Sequence, residues 1–173
     1  MKNQKAVFIF LLMFVFFAGA CSFEPDMDRG KFKRMSGAAQ SVKESLSAGA
    51  SYDQFGRLLE ALSGEIAALQ GKATTPKEEK LLKAYTTLAK VYQDGHTLWK
   101  FKLEFAPFGI VPEGRIDVSQ DVEPIVFKYS FPVETHLYKP TRKYWKSISE
   151  DSIRIIWSNA DSQMKIIEEI ANN

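Results

Sequence analysis

The sequence predicts an all-α domain: an antiparallel bundle of about four main helices, with a long and partly irregular insert over residues 108–147 before the last one. Three observations predict it. Apolar residues return every three or four positions in four separate stretches, which puts them on one helix face in each. Helix-start signals precede three of those stretches, at Ser51/Gln54, at Thr75-Pro76-Lys77-Glu78 and at Ser147/Glu150. The connections after the first two helices are short, which favours antiparallel neighbours.

The first helix is expected over 31–48. Phe32, Met35, Ala39, Val42 and Leu46 share one face, and Gly49 is placed to end it in a left-handed conformation. The second runs over 52–70. Ser51 and Gln54 have capping-box spacing, Tyr52, Phe55, Leu59, Leu62, Ile66 and Leu69 repeat at helical spacing, and Gly71 stands at the C-cap. Gly56 and Gly64 lie inside it, each at a cost of up to about 1 kcal/mol relative to Ala. Close approach of a neighbouring helix is one reason to keep them.

The third helix is expected over 76–105. Thr75 caps it, Pro76 takes the first position where no N–H is needed, and Glu78 completes the box. Leu81, Leu82, Tyr85, Leu88, Ala89, Tyr92 and Trp99 follow, with Glu79 and Lys83 at pairing distance on the outer face. Unbroken to Phe105, it is about 45 Å long, and Ala106-Pro107 stops it. Trp99, Phe101, Leu103 and Phe105 also alternate with charged residues, the period of a half-buried strand. Asp94-Gly95 would be the break, and 126–133 the partner. Helix is the preferred reading, because the chain arrives in helical register.

The insert carries or adjoins Pro107, Pro112, Pro124, Pro132 and Pro140, too many for a regular sheet. A short helix fits 119–129, with Val122, Ile125, Val126 and Tyr129 at its spacing. Apolar residues such as Ile110, Ile116, Phe131 and Val133 predict that the insert packs back on the helices. The last helix is expected over 148–171, with Ile153, Ile156, Trp157, Ala160, Met164, Ile167 and Ala171 on its apolar face.

Ahead of the bundle stands a different kind of segment. Lys2 and Lys5 precede a fifteen-residue run, Ala6 to Ala20, without charge or proline and with five phenylalanines. It ends in Ala18-Gly19-Ala20, directly before Cys21, the only cysteine of the chain. A basic head, an apolar middle and a small-residue end are the layout of a secretory signal peptide. The run is short of the roughly 20 apolar residues a membrane span needs. Ala18-Gly19-Ala20-Cys21 resembles the lipobox of bacterial lipoproteins, with Ala where the position three before the cysteine is more usually Leu. The resemblance covers only the N-terminus. It implies cleavage before Cys21 and lipidation of Cys21, which tethers the chain to a membrane. Ser22, not Asp, after the cysteine resembles lipoproteins sent to the periplasmic face of the outer membrane. The expected organisation is a signal peptide at 1–20, a lipidated tether at 21–30 and one helical domain at 31–173. That domain resembles small helical-bundle proteins of the periplasm, without a motif that names one family.

Cleavage changes the charge. The whole chain has 23 Lys and Arg against 21 Asp and Glu, and loss of Lys2 and Lys5 leaves 21 against 21 in 153 residues. A neutral domain lacks the positive field that nucleic acid binding needs.

Catalytic and cofactor motifs are absent from the sequence. Two histidines, His96 and His136, and a single cysteine exclude a thiolate zinc site or a CxxCH haem. A noncovalent haem between Met35 and His96 is the remaining cofactor reading, since both residue types serve as axial ligands. His96 lies beside Asp94 and serines abound, but no GxSxG context accompanies them. Glu65, Glu78 and Glu79 read as solvated helix-face residues. The sharpest cluster is Tyr138 to Lys146, where Lys139, Arg142, Lys143 and Lys146 interleave with Tyr138, Tyr144 and Trp145. It suits a membrane surface or an anionic polymer. The preferred reading is plainer: a solvated turn whose Tyr144 and Trp145 staple the start of the last helix, with Asp117, Asp121, Glu123 and Glu134 near enough to neutralise it. The expected function is therefore a non-enzymatic binding or structural module of the envelope, without cofactor, held to the membrane by lipid and meeting a protein partner. A carrier of haem or another small ligand in a cavity between helices is the alternative.

Overall fold

The computed structural model describes residues 27–105 and 111–172. In chain order the elements are α1 (Arg29–Ser47), α2 (Tyr52–Leu69), α3 (Pro76–Phe105), β1 (Arg115–Asp117), α4 (Glu123–Tyr129), β2 (Glu134–Tyr138), β3 (Lys143–Ser149) and α5 (Asp151–Asn172). The signal segment, Cys21, the Ala106-Pro107 stop and Ile110 lie outside the described residues.

The molecule is mostly helical with a small sheet. α3 is its spine: α2 packs on it from one side, α5 from another, and β1 lies against it. α1 completes a hairpin with α2. The helical faces are those the spacing gives. Met35, Ala39 and Val42 from α1, Phe55 and Leu62 from α2, Leu81 and Leu88 from α3, and Ile156 and Ala160 from α5 are buried in one core. Full burial of one such large side chain stabilises by about 1.5–3 kcal/mol.

Helix ends follow local chemistry. α1 starts two residues earlier than the spacing suggests, because Asp28 is its N-cap and accepts a 2.9 Å hydrogen bond from the Gly30 N–H. Met27 before it is buried, so the packed domain begins inside the stretch expected as tether at 21–30. Ser51 Oγ accepts from Gln54 N–H as expected. Gly49 and Gly71, both at φ 73°, follow α1 and α2 in the left-handed conformation that a Cβ disfavours. α3 runs unbroken through the ambiguous stretch. Leu98 and Phe101 are buried there while Leu103 is half-exposed, so the alternation belongs to one flank of a helix, not to a strand. Its expected Glu79–Lys83 pair does not form, and Lys100–Glu104 at 3.5 Å is the i,i+4 pair of this helix.

The insert corrects the all-α expectation. It forms a three-stranded antiparallel sheet in the order β1-β3-β2, with Ile116 opposite Ile148 and Leu137 opposite Tyr144. The described prolines do not prevent it, because each sits outside the strands. Pro112 opens the turn before β1, Pro124 lies in the first turn of α4, Pro132 precedes β2, and Pro140 is in the β2–β3 turn. The last helix correspondingly begins at Asp151, three residues later than expected, and Ile148 belongs to β3. The side chain that accepts at its start is Ser149, whose Oγ takes the Asp151 N–H, and not Ser147. The insert does pack back on the helices: Ile116, Ile148, Val122, Ile125 and Phe131 join the core.

Candidate functional site

Three places in the fold gather polar or aromatic chemistry. The first is at the start of the domain. Glu78 is only 1% exposed, so it is no solvated face residue. Thr75 Oγ1 accepts from the Glu78 N–H at 3.2 Å, the expected half of the capping box. The Glu78 carboxylate does not return to Thr75. It accepts from Thr74 N–H at 2.8 Å, from Thr74 Oγ1 at 3.0 Å, from Asp28 N–H at 3.2 Å and from Lys31 Nζ at 2.8 Å. Lys31 foremost, then the Thr74 N–H, hold this carboxyl at about 2, well below the ordinary range. One carboxylate thus joins the entrance of α1 to the entrance of α3.

The second place is aromatic. His96 on α3 stacks on Tyr52 of α2 at 4.1 Å, and Phe55, Trp99 and Trp157 continue the cluster at centroid spacings between 5.3 and 6.0 Å. Two helix glycines make room for it. A Cβ on Gly56 would lie 3.2 Å from the His96 ring, and one on Gly95 would lie 2.2 Å from the Trp157 ring. Gly56 therefore does mark a close approach, whereas Gly64 faces open space. Burial pushes the His96 imidazole below its ordinary value, and its Nε2 has no hydrogen-bond partner. Met35 is fully buried in the core. A groove of about 600 Å³ opens beside the cluster, walled by Trp99 and Trp157 and rimmed by the Lys102–Glu150 pair at 2.9 Å and the Arg154–Asp151 pair. Neither His96 nor Met35 lines it. Among the described residues no three His, Cys, Asp or Glu side chains are grouped to hold a metal ion.

The third place is the β2–β3 hairpin. The structure brings the sequence cluster together there: Lys139 and Arg142 lie in its turn, and Lys143, Trp145 and Lys146 on β3. Register divides the side chains between two faces. Leu137, Tyr144 and Lys146 share one, and His136, Tyr138, Lys143 and Trp145 the other. Trp145 stacks on His136 at 4.3 Å and does not staple α5; Tyr144 is 74% exposed. Among the described residues Lys139, Arg142, Lys143 and Lys146 form no ion pair. Glu134 pairs with Arg115 instead of neutralising the cluster. Phe127 of the adjacent α4 is 87% exposed, and Val133, Leu137 and Tyr138 are also large and exposed. Sequence reasoning missed Phe127, because a helix of seven residues gives too short a period to assign a face.

At the root of the hairpin, Ser147 Oγ lies 2.8 Å from His136 Nε2 and 3.0 Å from Arg115 Nε. Ser147 is fully buried. A hydroxyl shared between an imidazole and a guanidinium under the sheet is out of reach of an external substrate, and the group reads as a buried polar clasp. No described helix is long and apolar enough to cross a membrane. No family model, curated protein or solved structure matches the chain.

Proposed function

We propose that this chain is a lipid-anchored module of a bacterial envelope that binds a partner through its insert and does so without catalysis. The observation that supports it is a concentration. The segment from β1 to β3 holds Phe127, Val133, Leu137, Tyr138 and Tyr144 as large exposed apolar side chains, together with four cations that have no ion-pair partner among the described residues. Exposed apolar groups set among charges are the composition of an interaction surface. An anchor at Cys21 fits the arrangement. The root of the hairpin is beside the Lys102–Glu150 pair, and Lys102 lies 24 residues beyond Glu78, about 36 Å along α3. A chain tethered before Met27 holds the α1 entrance near the bilayer and α5's first turn at the far end of the spine.

Two measurements test the reading. A photo-crosslinking residue at Tyr144 or Phe127, in cells, is expected to give a discrete adduct that the same residue at exposed Ile155 does not. Equal labelling at all three positions refutes the insert as the contact surface. Alkaline washing of membranes is expected to release Cys21→Ala and retain the parent chain. Retention of both refutes the lipid anchor.

A further inference from the structure

A second groove lies at the opposite end of the bundle from the aromatic one. It has a volume of about 420 Å³, and Phe32, Leu81, Tyr85 and Ala171 bring α1, α3 and α5 to its wall. Arg29 and Lys33, one helical turn apart on α1, are exposed on its rim. Neither forms an ion pair among the described residues, and no acidic side chain lines the groove. Glu168 of α5 is the negative charge felt at Tyr85 from outside it. An apolar trough with cations on one lip matches an amphiphile whose head is anionic and whose tail is hydrocarbon.

Its position selects among amphiphiles. Met27 is itself a lining residue, and only six residue steps separate it from Cys21, at most about 21 Å of extended chain. Resting on the proposed lipidation of Cys21, we infer that this groove seats an anionic phospholipid of the anchoring membrane, its acyl portion against Phe32 and Leu81 and its phosphate against Arg29 and Lys33. One lipid held this way fixes the azimuth of the bundle on the membrane, which a single flexible tether does not.

The test is native mass spectrometry of the full, membrane-extracted protein, exchanged into micelles containing either phosphatidylglycerol or phosphatidylcholine. The parent chain is expected to retain one phosphatidylglycerol and little phosphatidylcholine. The Arg29→Glu/Lys33→Glu variant, altered only at exposed positions, is expected to lose that retention by more than tenfold, each cation near a lipid phosphate contributing appreciably. Equal retention of both lipids, no retained lipid, or retention unchanged in the double variant overturns the inference. The same spectra weigh Cys21. A lipid-modified Cys21 without retained phosphatidylglycerol refutes the groove and leaves the anchor standing. An unmodified Cys21 with charge-dependent retention refutes the anchor and leaves the groove.

Discussion

Replacing Glu78 by Gln is the sharpest probe of how this domain closes on itself. Gln offers one acceptor oxygen where the carboxylate offers two. Asp28 N–H uses Oε1, whereas Thr74 N–H, Thr74 Oγ1 and Lys31 Nζ converge on Oε2. Either orientation of the amide presents an NH₂ to a buried donor and removes its acceptor. A lost charge-assisted bond in a buried site costs about 1.5–3 kcal/mol, and removal of one partner of a buried pair about 3–5. Lys31 is a quarter exposed, which places the loss near the lower end, about 3 kcal/mol. In a domain of this size that is a fall in Tm of about 6–12 °C. The pH dependence is the signature. The folded carboxyl sits at about 2 and the ordinary value is 4.5, so its stabilisation is full above pH 4.5 and is lost as pH falls toward 2. Urea unfolding of parent and Glu78→Gln, followed by circular dichroism from pH 7 to pH 2.5, should show a gap that narrows below pH 4.5. Coincident midpoints at pH 7, or a gap that stays constant down to pH 2.5, refute the role assigned to this carboxylate.

Gly95→Ala should lower stability by about 1–3 kcal/mol, since its Cβ meets the Trp157 ring at 2.2 Å and forces repacking, whereas Gly64→Ala, facing open space, should raise it by about 0.5–1; thermal unfolding ranks the two. Burial holds the His96 imidazole below its ordinary 6.5, so the unfolded chain protonates first and stability falls as pH drops below 6.5. His96→Gln should flatten that loss, as the Tm difference between pH 7.5 and pH 5.5 would report.

The helices were legible because their burial is periodic. Phe32, Met35, Ala39 and Val42, or Ile153, Ile156, Ala160 and Met164, read as faces from their spacing alone. The sheet was not legible. β3 is buried only at its root, at Ser147 and Ile148, and exposed along Lys143 and Tyr144, so no alternation of apolar and polar residues announces it. Counting prolines misled, because proline forbids a ladder position and not the turn between two ladders. Ser147 and Glu150 have the spacing of a capping box by coincidence: the strand ends between them, and Ser147 turns to His136 and Arg115. The hairpin cluster was legible as composition, and its division into two faces required the register. Glu78 was legible as a cap. Its reach to Asp28, fifty residues earlier, was not, since nothing local encodes a partner at that separation.

That reach has a mechanical consequence. If the chain is held at Cys21 and loaded at the hairpin, tension enters the domain at Met27 and leaves it through β3. Unwinding α1 from its start would have to break both the Asp28 N–H and the Lys31 Nζ bonds to Glu78. The carboxylate is in effect a strain relief at the cable entry. It passes the pull straight to α3, the longest rigid element, and spares the short helical turn by which α1 would otherwise peel away.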